Sequence, residues 1–255
     1  MKKEIRMSTA ILLLSGACQV LADQAVYQAA ITSEATPALW YKTARSPSYG
    51  TATNTLVSGG AITNLTSDFW GNANSAFGLL NTSANAAAVV GSTGKFTTGT
   101  VGTVSFMFKT PSVVSENDSL FYQGVFEVMI SSSKLRLTTV NGGTTDYTFL
   151  GSSALSADTW YYFAMSWDLS KPSNDLTWYY GAANSTLNSG SVTMTTAGAA
   201  NAAIYIGGHA TYYIFGGYFQ NIALYETALS NAAIEAQFKA ITKSSASLRL
   251  LIRSN

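Results

Sequence analysis

Charge is scarce in this chain: 11% of its 255 residues are charged, where a soluble domain usually carries roughly 25%. The formal net charge is only +1, so no basic surplus exists to release counterions from a phosphate backbone. That excludes a nucleic-acid binder of the usual electrostatic kind. Cysteine and histidine are almost missing, with one Cys18 and one His209. A structural zinc site and an intrachain disulfide are therefore both excluded. What the chain does have is 47% apolar and 12% aromatic residues, which excludes disorder. All-β sandwiches run to roughly 200–250 residues as single units, so one domain accommodates this length.

Residues 1–22 read as a secretory signal. Lys2, Lys3 and Arg6 lead, an apolar stretch follows around Ile11–Leu14, and small residues come next. The apolar stretch is too short to span a bilayer, and no second run of spanning length follows. Cleavage after Val20-Leu21-Ala22 leaves a mature chain from Asp23. Alternatively, Ser15-Gly16-Ala17-Cys18 is a loose lipobox that would lipidate Cys18, with Leu14 one place too early. Removing residues 1–22 leaves 11 bases against 12 acids and no cysteine. That composition suits an oxidising compartment.

Beyond the signal the period is that of strands. Val104, Phe106 and Phe108 face one way, while Thr103, Ser105 and Lys109 face the other. Phe126, Val128 and Ile130 repeat the pattern. Leu135 and Leu137 alternate with Lys134, Arg136 and Thr138, which reads as one wet face. Asn141-Gly142-Gly143 supplies a hairpin turn. Further strands are predicted at Ala38–Tyr41, Ala87–Val90, Tyr147–Leu150, Thr159–Trp167, Leu176–Tyr180, Ser191–Thr195, Ala203–Gly207 and Tyr218–Tyr225. Helical spacing is clear once, after Ser230 as cap, with Ile234, Phe238 and Ile241 on one face. Short strands without intervening helices argue for a β-sandwich.

The run Gly217-Tyr218-Phe219-Gln220-Asn221-Ile222-Ala223-Leu224-Tyr225-Glu226-Thr227-Ala228-Leu229-Ser230, then Ile234, resembles the closing motif of laminin G-like domains. These belong to the concanavalin A-like lectin/glucanase superfamily. Thr159–Asp168 is similar to the family's Trp-led central strand, Leu176–Gly181 to the strand and turn after it, and Gly102–Thr110 to its first clear core strand. The resemblance covers Leu79 to Lys239 well and Asp23 to Gly78 poorly. It implies an all-β jelly-roll sandwich of two antiparallel sheets with one short C-terminal helix. The expected division is a signal at residues 1–22, the sandwich at 23–243 and a tail at 244–255. The resemblance also implies glycan-binding edge loops and, in many members, calcium.

Two departures matter. The family's closing strand usually carries acids where this chain has Gln220 and Asn221. An acid three residues after the helix cap is replaced by Ala233, so the reciprocal capping box is absent.

The superfamily's glucanases use Glu-x-Asp-x-x-Glu on one strand, since retention needs two carboxyls about 5–5.5 Å apart. Only Glu116-Asn117-Asp118 starts that pattern; Phe121 breaks it, and Asn117 and Ser119 suit a solvated turn. No Gly-x-Ser-x-Gly elbow exists, and Gly94-Lys95 fails as a phosphate loop on both sides. No catalytic residues are assigned.

Calcium needs six to eight oxygens close together, and the loop Asp168–Asp175 offers Asp168, Asn174 and Asp175, with Lys171 among them. The competing reading is a polar hairpin loop. For a ligand, Tyr212 and Tyr213 lie between Gly207-Gly208 and Gly216-Gly217, and loop aromatics serve as anchors. His209, Trp178 and Trp70 join them in the expected edge-loop site, although half of any sandwich's aromatics are core by geometry. The expectation is a secreted or cell-surface, bacterial, non-catalytic, lectin-like domain that binds a glycan or an extracellular protein. An outer-membrane lipoprotein through Cys18 is the alternative location. A structural or adhesive module that self-associates is the alternative function, with a glycoside hydrolase or lyase behind it.

Overall fold

The computed structural model describes residues 24–41, 62–79, 88–90, 100–114, 117–124, 126–141, 144–183, 185–194, 204–208 and 214–241. Helix α1 (residues 24–31) opens this part of the chain. Strands β1 (Leu39–Tyr41), β2 (Ile62–Thr66), β3 (Ala76–Leu79) and β4 (Ala88–Val90) follow. The central run is β5 (Val101–Lys109), β6 (Asp118–Gln123), β7 (Phe126–Ser131), β8 (Lys134–Asn141) and β9 (Thr144–Phe149). Then come β10 (Trp160–Asp168), β11 (Leu176–Ala182), β12 (Asn188–Val192), β13 (Ile204–Ile206) and β14 (Tyr218–Tyr225). Helix α2 (residues 231–241) closes the described chain.

The strands form two antiparallel sheets, as the sequence predicts. The large sheet has eight strands in the order β12-β11-β10-β5-β14-β3-β2, with β1 also paired to β14. The small sheet has six, in the order β4-β13-β6-β7-β8-β9. Between them lies an apolar core in which Val104, Phe106, Phe108, Phe163, Met165 and Trp167 of the large sheet meet Phe121, Val128, Ile130, Leu135 and Leu137 of the small one. Alternation along each strand puts every second residue into this layer.

The other face of the large sheet is buried too. Met107, Tyr162, Ala164, Tyr179 and Tyr225 pack against Tyr27 and Ile31 of α1 and against Ile234, Phe238 and Ile241 of α2. Hence the interiors of β5 and β10 are buried at consecutive positions, as in a sheet covered on both sides. A polar chain ties the layer together. Tyr162 donates to Gln237 Oε1 at 2.8 Å, Gln237 Nε2 donates to Tyr225 Oη at 3.2 Å, and Tyr225 donates to the Ile31 carbonyl at 2.8 Å. Tyr162, Gln237 and Tyr225 are thereby paired with one another or with backbone, as the low local dielectric favours.

Three expectations are corrected. The sequence predicts one helix; α1 is a second, and its eight residues show only Tyr27 and Ile31 as a buried pair one turn apart. Ser119 was read as part of a turn, yet it lies buried within β6, and Asp118 beside it is 7% exposed. Only Asn117, at φ 65°, keeps turn geometry; Glu116 lies outside the described residues. The edge strand expected from Ser191 begins at Asn188 instead, because Tyr179 and Tyr180 draw Ser189 and Asn188 into register.

Candidate functional site

Of the expected ligand residues, the two that are described, Trp178 and Trp70, pack on opposite faces of the large sheet. His209, Tyr212 and Tyr213 lie outside the described residues. Trp178 points into the inter-sheet core beside Tyr180, with ring centroids 6.1 Å apart. It lies flat on Gly190 of the neighbouring strand, where a Cβ would come within 2.4 Å of Trp178 Cζ2. Trp70 packs on the opposite face of the same sheet, 5.4 Å from Tyr27. Its loop is pinned there: the Asp68 carboxylate accepts the Trp70 and Asn72 amides, each at 2.9 Å, and Gln220 Oε1 accepts the Phe69 amide at 2.7 Å. Gln220 and Asn221 thus have structural work in place of the family's acids. Asn221 takes φ 51° at the register shift between Gln220 and Ala223, a conformation that Asn tolerates.

The residues proposed for calcium are engaged with one another and with β12. Asp168 Oδ1 accepts from Ser170 Oγ at 2.6 Å and from the Ser170 amide at 3.2 Å, and Lys171 Nζ stands 3.7 Å from Oδ2. The Ser170 hydroxyl first, then its amide and Lys171, hold this carboxyl below its usual pKa. Asn174, at φ 49°, accepts the Ser191 hydroxyl at 2.9 Å and donates its amide to Thr193 Oγ1 at 2.9 Å. Asp175 is 3% exposed and its Oδ1 accepts the Met194 amide at 2.8 Å. This donor set does not fit calcium: all three side chains already serve loop hydrogen bonds, and the Lys171 ammonium stands beside Asp168. Among the described residues no group of three or more His, Cys, Asp or Glu could hold a metal ion.

The arrangement that does stand out is on the outer face of the small sheet. Strand register places Tyr205 (β13) opposite Tyr122 (β6), Tyr122 opposite Glu127 (β7), Glu127 opposite Thr138 (β8) and Thr138 opposite Tyr147 (β9). Residues directly opposite share a face, so these five side chains form one row across five strands. At the usual strand spacing the row is about 19 Å long. The row next to it, Ile206–Phe121–Val128–Leu137, is in the core, which fixes the direction of the pleat. One step further along, Met129, Arg136 and Phe149 form a second outer row.

Tyr147 is 62% exposed and Phe149 is 49% exposed. Tyr122 and Tyr205 are half-buried, their rings 5.8 Å apart and tilted by 51°. Burial raises the Tyr122 phenol above its usual pKa, and the Glu127 carboxylate and Tyr205 add to the rise. Arg136 lies over the Tyr147 ring at 4.6 Å from its centroid, within the range of a cation–π contact. Among the described residues both helices cover the large sheet and none covers this face. Among the described residues this face carries the exposed Tyr147 and Phe149 and the half-buried Tyr122, Tyr205, Glu127 and Arg136, while Thr138, at 8% exposure, is buried between them.

The sequence signalled part of this. The wet face of Lys134, Arg136 and Thr138 was legible from alternation, whereas Tyr122, Glu127, Tyr147 and Tyr205 were not singled out. Tyr147 and Phe149 at alternate positions of β9 were the available signal. A separate cleft of about 330 Å³ opens between α2 and the β11–β12 hairpin, lined by Tyr179, Leu187, Ser189, Glu235, Phe238 and Lys239. Its charges neutralise each other, since Lys239 Nζ lies 2.9 Å from Glu235.

A family model described as the concanavalin A-like lectin/glucanases superfamily, of laminin G type, matches residues 80–235. No curated protein matches the chain in sequence. Among solved structures, a receptor binding domain is similar at 10% identity, covering 79% of this chain and 51% of that one, with a TM-score of 0.53. The receptor binding domain of botulinum neurotoxin type G is similar at 12% identity, over 80% of this chain and 51% of that one, with a TM-score of 0.51. The binding domain of botulinum neurotoxin DC in complex with rat synaptotagmin II gives 11%, 73%, 46% and 0.51 in the same order. The chain spans about half the length of these structures, and at such identities the likeness is one of fold.

Proposed function

We propose that this chain, which belongs to the concanavalin A-like lectin/glucanases superfamily, is a non-catalytic, lectin-like module that holds a glycan on the outer face of its small sheet. The row Tyr205–Tyr122–Glu127–Thr138–Tyr147 carries the proposal. Rings give the apolar faces of a sugar a surface to rest on, and the Glu127 carboxylate would accept from its hydroxyls. Magnitudes agree with this use. If each ring contributes about 0.5–1.5 kcal/mol, one ring falls short of the roughly 4 kcal/mol of millimolar binding. The row's three rings together with Phe149 sum to about 2–6 kcal/mol, a range that brackets it.

A single carboxylate in the row supports binding over hydrolysis, because retaining hydrolysis takes a pair about 5–5.5 Å apart. Residues 1–22 would direct secretion, residues 23–243 would form the module, and the ligand would be a glycan or a glycosylated extracellular protein. Tyr212 and Tyr213, with His209, are the further ligand residues of this reading. A structural or adhesive role is favoured by one observation: β9 is an edge strand and carries the exposed Tyr147 and Phe149, a combination that invites a second chain.

The test is a glycan-array screen of the mature chain from Asp23, with calcium and with a chelator, followed by titration of retained glycans. Tyr122→Ala plus Tyr147→Ala should weaken retention by about tenfold or more, the loss of roughly two ring contacts. The reading also expects retention to survive chelation. Undiminished binding in the double variant would overturn the platform. Tyr212→Ala plus Tyr213→Ala tests the loop by itself. An array without hits, together with mass that rises with concentration in light scattering, would favour the adhesive role.

A further inference from the structure

Arg136 stands apart from the other cations of the described chain. Lys109, Lys171 and Lys239 each have a carboxylate within 4 Å, at 3.8, 3.7 and 2.9 Å. Among the described residues Arg136 and Lys134 have none. The two occupy alternate positions of β8 and so share the outer face, about 7 Å apart along the strand. Arg136 meets only weak acceptors: Nη1 reaches Ser131 Oγ at 3.4 Å, and Nη2 contacts Met129 Sδ at 2.6 Å. Its Nε is buried and has no hydrogen-bond partner. A guanidinium carries five donors, and partial desolvation without a counter-charge is costly. Here that cost is borne by a residue laid on an exposed tyrosine ring, beside the exposed Phe149.

We propose that Arg136, with Lys134, selects an acidic glycan, one that bears a sugar carboxylate over β8 and β9. This rests on the platform reading above and names its ligand class. Arginine matches a carboxylate by geometry and stays protonated at any relevant pH. The Tyr147 face holds the side chain in place before binding, so less rotamer freedom is lost when the anion arrives. The middle of the row sets the direction. Glu127 lies against Tyr122 and adds to the rise in its phenol's pKa, so a second sugar acid there would be repelled. The ligand is therefore expected to lie with its acid towards β9 and neutral rings towards β13.

The experiment compares matched glycans on the mature chain. Uronides and sialosides would be titrated beside their carboxyl-reduced forms, and a sulfated form of the reduced glycans would separate carboxylate from sulfate. The expected result is about tenfold tighter binding of the carboxylate form, weakening as salt is raised. Arg136→Gln should abolish that preference, so that within this variant the acidic and reduced forms bind alike. Arg136→Lys should restore part of it, and equal thermal unfolding of all variants would show that the fold is intact. Equal affinity for acidic and reduced forms, or an unchanged preference in Arg136→Gln, would overturn the selection while leaving the platform standing. A preference for sulfate over carboxylate would also overturn it as stated. Failure of every glycan, neutral and acidic, would remove the platform and this inference together.

Discussion

Ser230 illustrates how a single residue combines local and distant chemistry. Its hydroxyl accepts the Ala233 amide at 3.2 Å, the N-cap bond that satisfies one orphan donor of α2. In a capping box an acid three residues on would return the favour to the cap's own amide. Ala233 lacks it, and Glu34 supplies it from elsewhere: its Oε1 accepts the Ser230 amide at 2.8 Å, and its Oε2 accepts the Ser230 hydroxyl. The missing capping box is thus completed by a residue 196 positions away in sequence, beyond the reach of any local pattern. Ser230→Ala should lower stability by about 1 kcal/mol, the usual value of a cap, and Glu34→Gln by less. Urea titrations of the two single variants and the double variant would check this; a double-variant loss equal to the full sum of the singles would mean that they do not act as one unit.

At the scale of elements, large rings of the large sheet lie over glycines in neighbouring strands. Trp167 covers Gly102, and Trp178 covers Gly190. These pairings explain why Trp178 is a core residue, although its run of aromatics invited a ligand role. Gly190→Ala puts a methyl 2.4 Å from the indole, so a loss of about 1–3 kcal/mol is expected. Adding Trp178→Phe should recover part of that loss in chemical denaturation. A neutral Gly190→Ala would show that the edge strand yields freely. The long strands β5, β8, β10 and β14 were legible because each carries enough apolar residues to show its period. Of the described parts of 24–79, only β1 was, as the predicted Ala38–Tyr41 strand. Helix α1 buries only Tyr27 and Ile31 on two successive turns, and β2 is a Thr- and Asn-rich strand.

Across the whole molecule, the asymmetry of the sandwich decides where a ligand can lie. The large sheet spends both faces on packing, one against the small sheet and one against α1 and α2. Among the described residues, no helix packs on the outer face of the small sheet. Its outer row joins β13 to β6, strands some eighty positions apart, so no reading of a single strand could assemble it. Only the β8 and β9 portion was visible as alternation, and that is where Arg136 and Tyr147 lie. The central claim is that this row is the binding face. Amide chemical-shift mapping of the mature chain with an array-retained glycan tests it most directly. Perturbations concentrated on β6 to β9 and β13 are predicted. Perturbations concentrated on β11, β12 and α2, around the cleft beside Tyr179 and Phe238, would contradict the account.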